Sequence, residues 1–271
     1  NGLHLLTAND LSVAKVLANE LEKINQERKK IQEETFLEAE SLLRNDGDLK
    51  NKRVIVLASE IFHPGVIGIA ASKIVDKYHR PTVLIAIEEG LGKGSGRSIP
   101  KFNLFRAFTD CSSHLIQFGG HAYAAGLSIE EENIDNFCVA MNKVGSRYLK
   151  EKDLIPQLRI DSILKLSQID LALYKSLSLL EPFGAENPVP TFQSNKVKIK
   201  EVKYIGKEKN HIRFYATQGV GNIAVVAFNF AHIFDSIDIA NEVFDITYEL
   251  HLNTWNGREK LELRLLDLRG M

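Results

Sequence analysis

Between Gly92 and Ser98 the chain reads Gly-Lys-Gly-Ser-Gly-Arg-Ser, so residues without side chains alternate with residues that donate hydrogen bonds or carry charge. Such a run suits an anion. Bare glycines let backbone N–H groups approach it, Ser95 and Ser98 add hydroxyl donors, and Arg97 adds a planar fork that fits two phosphate oxygens. The same composition also makes an ordinary turn between periodic segments. A second donor cluster, Gly119-Gly120-His121, with Ala124-Ala125-Gly126 behind it, falls where a helix-like run from Leu104 to Phe118 gives way to a short apolar stretch. Backbone amides are expected to be free at such a junction. Together the clusters suggest a phosphate-handling surface. Upstream, His63-Pro64-Gly65-Val66-Ile67-Gly68 places an imidazole at a helix entry, where it either bonds to backbone or meets the same anion.

A different chemistry is written further along. Lys196, Lys198, Lys200, Lys203, Lys207 and Lys209 crowd one expected hairpin, interleaved with Tyr204, His211, Arg213 and Tyr215, and diluted in part by Glu201 and Glu208. Strand alternation puts Lys196, Lys198 and Lys200 on one face. Lysines on an exposed strand can serve only to prevent edge pairing. A basic face that also carries rings fits a single nucleic-acid strand, with phosphates following the lysines and bases stacking on the aromatics. Trp255 precedes Asn256-Gly257, a tight hairpin signal, and either caps a core or offers a stacking face.

The elements that must position these residues follow from periodicity. Thr7 to Leu43 reads as one long helix with a Thr7/Asp10 capping box, an apolar stripe of Val13, Leu17, Leu21, Ile24, Ile31 and Leu42, and a turn at Asn45-Asp46-Gly47-Asp48. Arg28 lies on that stripe and either snorkels past its edge or meets an anion in a cleft. A strand at 53–59, a helix opened by Pro64 and running to Lys77, strands at 82–87 and 93–98, the 103–118 helix, a strand at 124–129 and a helix at 133–148 make an α/β domain. The charged run Lys150-Glu151-Lys152-Asp153 is taken as a linker. Beyond it come a strand near 158–163, a helix at 168–180, and strands at 196–205, 211–217, 223–228, 244–252 and 261–268, the plan of a Greek-key barrel of OB type. The expected division is 1–50, a connector helix; 51–150, the α/β domain; and 151–271, the barrel.

Composition sets bounds. The chain has 271 residues, 44% hydrophobic and 25% charged, enough for two cores of an ordinary globular protein. A net charge of −1 excludes a uniformly basic nucleic-acid binder, so any such surface is a local patch. No apolar run approaches the ~20 residues of a membrane span. The start, Asn1-Gly2-Leu3-His4, has neither an initiator Met nor a signal-peptide plan, and the expectation is a piece of a longer cytoplasmic protein. Cys111 and Cys138 are not in ligand or disulfide spacing and read as core or helix residues. Asp46 with Asp48, and Asp235 with Asp238, read as solvated turn or helix-end residues. No two of the eight histidines are four apart, and no metal ligand is assigned.

The glycine-serine-arginine run, the Gly119-Gly120-His121 cluster and the His63 segment together resemble the DHH-associated domain of the RecJ family of single-strand-specific exonucleases, in the DHH phosphoesterase superfamily. Asn25-x-x-Arg28 within Leu21–Arg28, Leu180-Glu181-Pro182-Phe183-Gly184 leading to Asn187-Pro188, and Trp255-Asn256-Gly257 match in the same order, over nearly the whole chain. The resemblance implies a connector helix, a DHH-associated α/β domain with a mixed sheet, and an OB-fold β-barrel. It also implies 5′-to-3′ degradation of single-stranded DNA in repair and recombination, with two Mn²⁺ or Mg²⁺ ions held by an Asp-His-His domain whose motif this sequence lacks. On that view Ser95 and Arg97, with Ser98, grip a phosphate, while Gly119, Gly120 and His121 supply donors near the scissile bond. Arg28 and His63 face the same cleft, and Lys198, Lys200, Lys203, Tyr204, His211, Arg213 and Trp255 bind the strand in the barrel. The chain alone would be hydrolytically silent. Its partners would be single-stranded DNA, a single-strand-binding protein and a helicase, with no membrane. Two other classes stay open: a non-catalytic nucleic-acid-binding or scaffold relative, and a small-nucleotide phosphodiesterase, which would not need the barrel.

Overall fold

In the computed structural model every residue is described except Asp48, Lys50, Ala240, Asn241, Asn256 and Met271, with backbone alone at Asp46, Trp255 and Arg258. The chain forms two compact units, Asn1–Pro156 and Gln157–Met271. The connector helix therefore belongs to the first unit. The charged run expected as a linker is a 3₁₀ turn, Glu151–Leu154, fastened to that unit because Leu154 is buried in its core.

The first unit opens with α1 (Gly2–Leu6) and α2 (Leu11–Asp46) where one helix was expected. The break falls between Thr7 and Asp10. Thr7 closes α1 by donating to Leu3 O at 3.0 Å, and Asp10 caps α2 by accepting from Ser12 N at 2.7 Å and Val13 N at 3.2 Å. These bonds, led by the Ser12 hydroxyl, hold the Asp10 carboxyl below its usual pKa. A carboxylate is a stronger acceptor for free first-turn amides than a hydroxyl, so the cap moves to Asp10. Asn45 and Asp46 remain helical, and Gly47, with φ 65°, ends α2 in the left-handed region. Asp48 lies outside the described residues.

Then follow β1 (Ile55–Ser59), α3 (Ile67–Tyr78), β2 (Thr82–Glu88), β3 (Leu91–Arg97), α4 (Leu104–Asp110), β4 (Gln117–Gly120), β5 (Ala124–Glu130) and α5 (Ile134–Tyr148). The sheet order is β1-β2-β3-β5-β4, with β1 and β2 parallel and the other pairs antiparallel. One face packs Ile55, Leu57, Leu84 and Ala86 under α3 and the end of α2. The other packs Val83, Ile85, Leu127 and Ile129 against α4 and α5. Of the expected stripe on α2, Leu17, Leu21, Ile31 and Leu42 are half-buried, while Val13 and Ile24 are 51% and 53% exposed. Only from Thr35 onward does α2 pack closely, tied to α3 by Lys73–Glu33 at 2.7 Å and by the Lys77–Glu40 pair.

Two expected helices are corrected. Pro64 does not open α3: His63 Nδ1 accepts from Gly65 N at 3.0 Å and Val66 N bonds His63 O at 3.0 Å, a turn that delays the helix to Ile67. The 103–118 helix stops at Asp110. Its last residues instead form β4, because Phe118 packs edge-on against Phe108 with ring centres 6.4 Å apart and the backbone then pairs with β5.

The second unit contains β6 (Ser162–Ile163), α6 (Leu171–Ser178), β7 (Phe192–Ile205), β8 (His211–Gln218), β9 (Gly221–Ala227), α7 (Ala231–Phe234), β10 (Phe244–Trp255) and β11 (Arg258–Gly270). Neighbours run β10-β11-β9-β8-β7, and β10 pairs back with β7, closing a five-stranded barrel. The β9–β11 pair is parallel, the only one among the barrel strands, and this arrangement is that of an OB fold. Val197, Ile199, Phe214, Val225, Tyr248 and Leu263 fill the interior. Tyr248 shares a 2.7 Å hydrogen bond with Ser194, and burial pushes its phenol up to about 12. Burial likewise pushes the Cys111 thiol up to about 11 inside the first core, and neither cysteine is in a disulfide. Among the described residues no helix is long and apolar enough to cross a membrane.

Candidate functional site

Strand β3 carries two chemistries on its two faces. Gly92, Gly94 and Gly96 are buried, and each takes up the bulk of a neighbour. A Cβ on Gly94 would lie 2.7 Å from Leu127 Cδ1, one on Gly92 2.7 Å from Ile85 Cγ2, and one on Gly96 2.5 Å from Leu104 Cδ2. The expected reason for these glycines, backbone approach to an anion, is thus replaced by close packing. Lys93, Ser95 and Arg97 point to the other face. There Ser95 stands beside Gly126, and Gly126 beside Gly119, while Arg97 stands beside Ala124. These small residues leave a bare floor. It adjoins a shallow groove of about 480 Å³ edged by Lys93, Gln117 and Ser128.

The wall of this floor is the N-terminus of α3. A Cβ on Gly68 would fall 2.7 Å from Arg97 Nη2 and 3.0 Å from Ser95 Oγ, so the absence of a side chain lets the guanidinium rest on the first helical turn. Arg97 Nη1 donates to Gly96 O at 2.8 Å and to Ser95 Oγ at 3.2 Å. Among the described residues no carboxylate pairs with Arg97. A half-buried guanidinium without a carboxylate partner, at the positive end of a helix dipole, has the charge and donors to receive an anion.

The other expected residues have varied positions. Ser98 does not join the donors: its hydroxyl donates to Phe102 O at 2.6 Å, committing its one proton to the loop. Gly119 is open, with nothing within 4 Å of a Cβ built there, but Gly120 is structural, since at φ 138° a Cβ would meet Ala124 O at 2.5 Å. The amide of His121, expected to be free, donates to Ala124 O at 2.8 Å, and its exposed imidazole remains available at the β4–β5 turn. His63 keeps its turn-bracing role at the foot of α3. Arg28 donates to Asn25 Oδ1 at 3.0 Å and Gln32 Oε1 at 3.1 Å, which accounts for the Asn25-x-x-Arg28 spacing along one helix face. These bonds do not bring it to the Ser95–Arg97 pair. Gly68, whose role the sequence reading missed, was visible only as a glycine inside a helix.

On the barrel, Lys198 and Lys200 are exposed while Val197 and Ile199 are buried, as alternation requires. Lys196 is exposed as well, though its backbone leaves the extended region there, with φ 54° and its amide donating to Asp245 Oδ1. A second bulge separates Lys200 from Lys203. Lys200 stands across from Tyr215 and Lys203 across from Arg213. Tyr204 donates to Asp235, a bond that raises its pKa, and the residue is 43% exposed. His211 accepts from Asn229 N and meets Phe228 edge-on, with ring centres 5.2 Å apart. Beside them are cations the sequence reading passed over: Lys260 lies 5.7 Å above the Tyr215 ring centre and Arg264 5.6 Å above that of Phe228. Lys260, Glu262 and Arg264 alternate with Leu261, Leu263 and Leu265, a signal that was readable. Trp255 ends β10 paired with Arg258 and Gly257 has φ 73°, but the Trp255 side chain lies outside the described residues. The Pro182–Asn187 motif is a turn: Gly184 and Asn187 exchange backbone bonds, and Asn187 Nδ2 donates to Leu180 O at 2.7 Å. Among the described residues no group of three His, Cys, Asp or Glu is placed to hold a metal ion.

Fold and site together define an α/β domain of the DHH-associated class joined to an OB barrel. The family profile of the DHHA1 domain matches residues 51–146, and that of the RecJ OB domain matches residues 160–267. The single-stranded-DNA-specific exonuclease RecJ of Bacillus subtilis is 32% identical over 99% of this chain and 35% of its own length, and that of Haemophilus influenzae is 32% identical over 97% and 47%. The crystal structure of RecJ in complex with Mn²⁺ from Thermus thermophilus superposes with a TM-score of 0.77 at 28% identity, over 98% of this chain and 38% of that one. The corresponding Mg²⁺ complex gives 0.74. The chain belongs to the RecJ family, and it spans less than half the length of these relatives.

Proposed function

We propose that this chain is the strand-holding part of a metal-dependent 5′-to-3′ single-stranded-DNA exonuclease of repair and recombination. The observation that carries this reading is the Arg97 guanidinium, unpaired among the described residues and seated with Ser95 on the first turn of α3. That pair receives the strand's 5′-phosphate, while the bare floor of Gly126 and Gly119 accepts sugar and base. The barrel holds the following strand by its lysines and rings. Hydrolysis needs two divalent ions, Mn²⁺ or Mg²⁺, and their ligands belong to a part of the enzyme outside this sequence. The same reading makes a single-strand-binding protein and a helicase, which coat and expose single strands, its working partners, and the cytoplasm its location.

The test is a titration of the chain with labelled, 5′-phosphorylated single-stranded DNA at several salt concentrations. Binding should weaken with salt, and replacing Lys198, Lys200 and Lys203 by Ala should lower the slope of log K against log salt by about 2. Added Mn²⁺ should leave the oligonucleotide uncut. Preference for duplex, or no binding at low salt, would refute the reading, and cutting by the purified chain would refute the placement of the metal ligands elsewhere.

A further inference from the structure

A cleft of about 700 Å³ opens in the second unit where the segment from Ile163 to Gln168, the Asn195–Lys196 stretch of β7 and the β8–β9 turn meet. These three segments are fastened to one another. Gln218 Oε1 accepts from Leu166 N at 2.9 Å, and its Nε2 donates to Asn195 O at 2.6 Å. A Cβ on Gly221 would fall 2.8 Å from Ser167 N, so the hairpin is seated directly on that turn. The cleft is therefore formed before anything enters it. Two of its aliphatic side chains are bare: Ile163 is 62% exposed and Val220 95%. The fold does not require valine at 220. Gln218 pairs with Gly221 across a two-residue turn that asks for glycine at its first position, and Gly219, with φ 57°, meets that need. Among the described residues the only charged groups lining the cleft are Lys165 and Lys196, both exposed, in a chain whose net charge is −1.

We propose that this cleft docks an acidic segment of a partner protein, with one large apolar side chain covering Ile163 and Val220 and carboxylates meeting Lys165 and Lys196. Charge complementarity of this kind steers a partner and fixes its register, while the apolar side chain supplies the burial. β6, which holds Ile163, ends its sheet and pairs with β7 alone, so its far edge can receive an extended segment as an added strand. No aromatic residue lines the cleft among the described residues. Single-stranded nucleic acid is held by rings on which its bases stack, so these aliphatic walls fit a side chain and not a base. The proposal does not depend on the barrel binding DNA.

Phage-displayed random peptides selected on the full chain provide the test, with the enriched sequence then synthesised and its affinity read by fluorescence anisotropy. An apolar residue flanked by Asp and Glu should dominate the selection. Val220→Ser, at an exposed turn outside the core, should weaken the synthesised peptide about tenfold, the value of burying one valine side chain. Reversing both charges, Lys165→Glu with Lys196→Glu, should weaken it at least as much, and a fresh selection on that chain should return lysine and arginine in place of the carboxylates. A variant that had merely lost its fold would select nothing, so the exchange of sign separates docking from damage. A selection on the wild-type chain that enriches no sequence, or one without carboxylates, would overturn the proposal. Equal binding of the peptide to the wild-type and charge-reversed chains would do the same. So would a Val220→Ser chain that loses single-stranded DNA and keeps the peptide, which would assign the cleft to the strand.

Discussion

Replacing Gly68 by Ala should separate stability from binding, moving them in opposite directions. Gly68 lies in the first turn of α3 with an ordinary helical backbone, so alanine costs no strain and removes glycine's entropic penalty, worth about 0.5 kcal/mol so near a helix end. For a unit of this size that gain corresponds to a rise in Tm of about 1–2 °C. The new methyl group, however, would sit 2.7 Å from Arg97 Nη2, closer than any real contact, and the guanidinium is the flexible partner that must yield. Swinging it off the helix end loses at least one charge-assisted bond to phosphate, about 1.5–3 kcal/mol, or roughly ten- to a hundredfold in Kd. Fluorescence anisotropy with 5′-phosphorylated and 5′-hydroxyl oligonucleotides would show the loss confined to the phosphorylated one. Arg97→Ala should cause a similar loss, and the double variant should be no worse than Arg97→Ala alone, because both changes remove one interaction. A Gly68→Ala chain that binds the phosphorylated strand within twofold of wild type, or losses that add in the double variant, would refute the seating of the phosphate on α3.

Two further outcomes follow from the packing. Gly94→Ala should destabilise the first unit by about 1–3 kcal/mol, since its methyl would enter the space of Leu127 2.7 Å away; a thermal melt unchanged from wild type would show that the core can yield there. The barrel should lose stability above pH 10. Tyr248 is held protonated in the folded state up to about pH 12, so its contribution is complete below the unfolded value near 10 and falls by about 1.4 kcal/mol per pH unit between the two. Denaturant midpoints of wild type and Tyr248→Phe measured at pH 8 and pH 11 should converge if this is right, and parallel midpoints would refute it.

Much of the fold was legible because period and turn chemistry agree over long stretches. β3, β5 and α5, and every barrel strand, lie within a few residues of where alternation put them, since each has one buried face. The misplaced elements are those decided by competition at their ends. The sequence offers Thr7 and Asp10 as one capping box where Asp10 alone caps α2, Pro64 as a helix start that the His63 imidazole prevents, and Phe118 as a helical residue that ring packing draws into a strand. The candidate site was half legible. Ser95 and Arg97 stand out by residue type, but that Gly68 makes room for them depends on a strand and a helix far apart in sequence. On the barrel, the lysine run of β7 drew attention by charge count alone. The Tyr215 ring of β8, the Phe228 ring that follows β9 and the cations of β11 meet only when the barrel closes.

The division of β3 into a packing face and a donor face also constrains how the gene can change. A single inserted or deleted codon between Leu91 and Ser95 would turn the strand over. Arginine and serine would then be pressed into hydrocarbon while glycines were left facing the floor, and the strand's single hydrophobic side chain, Leu91, could not rescue it by sliding. Point substitutions at the odd positions change the donor face at little cost to the scaffold. Those at the even positions can do almost nothing but harm. Variation among natural copies of this segment should therefore be confined to every second residue, with its length held fixed.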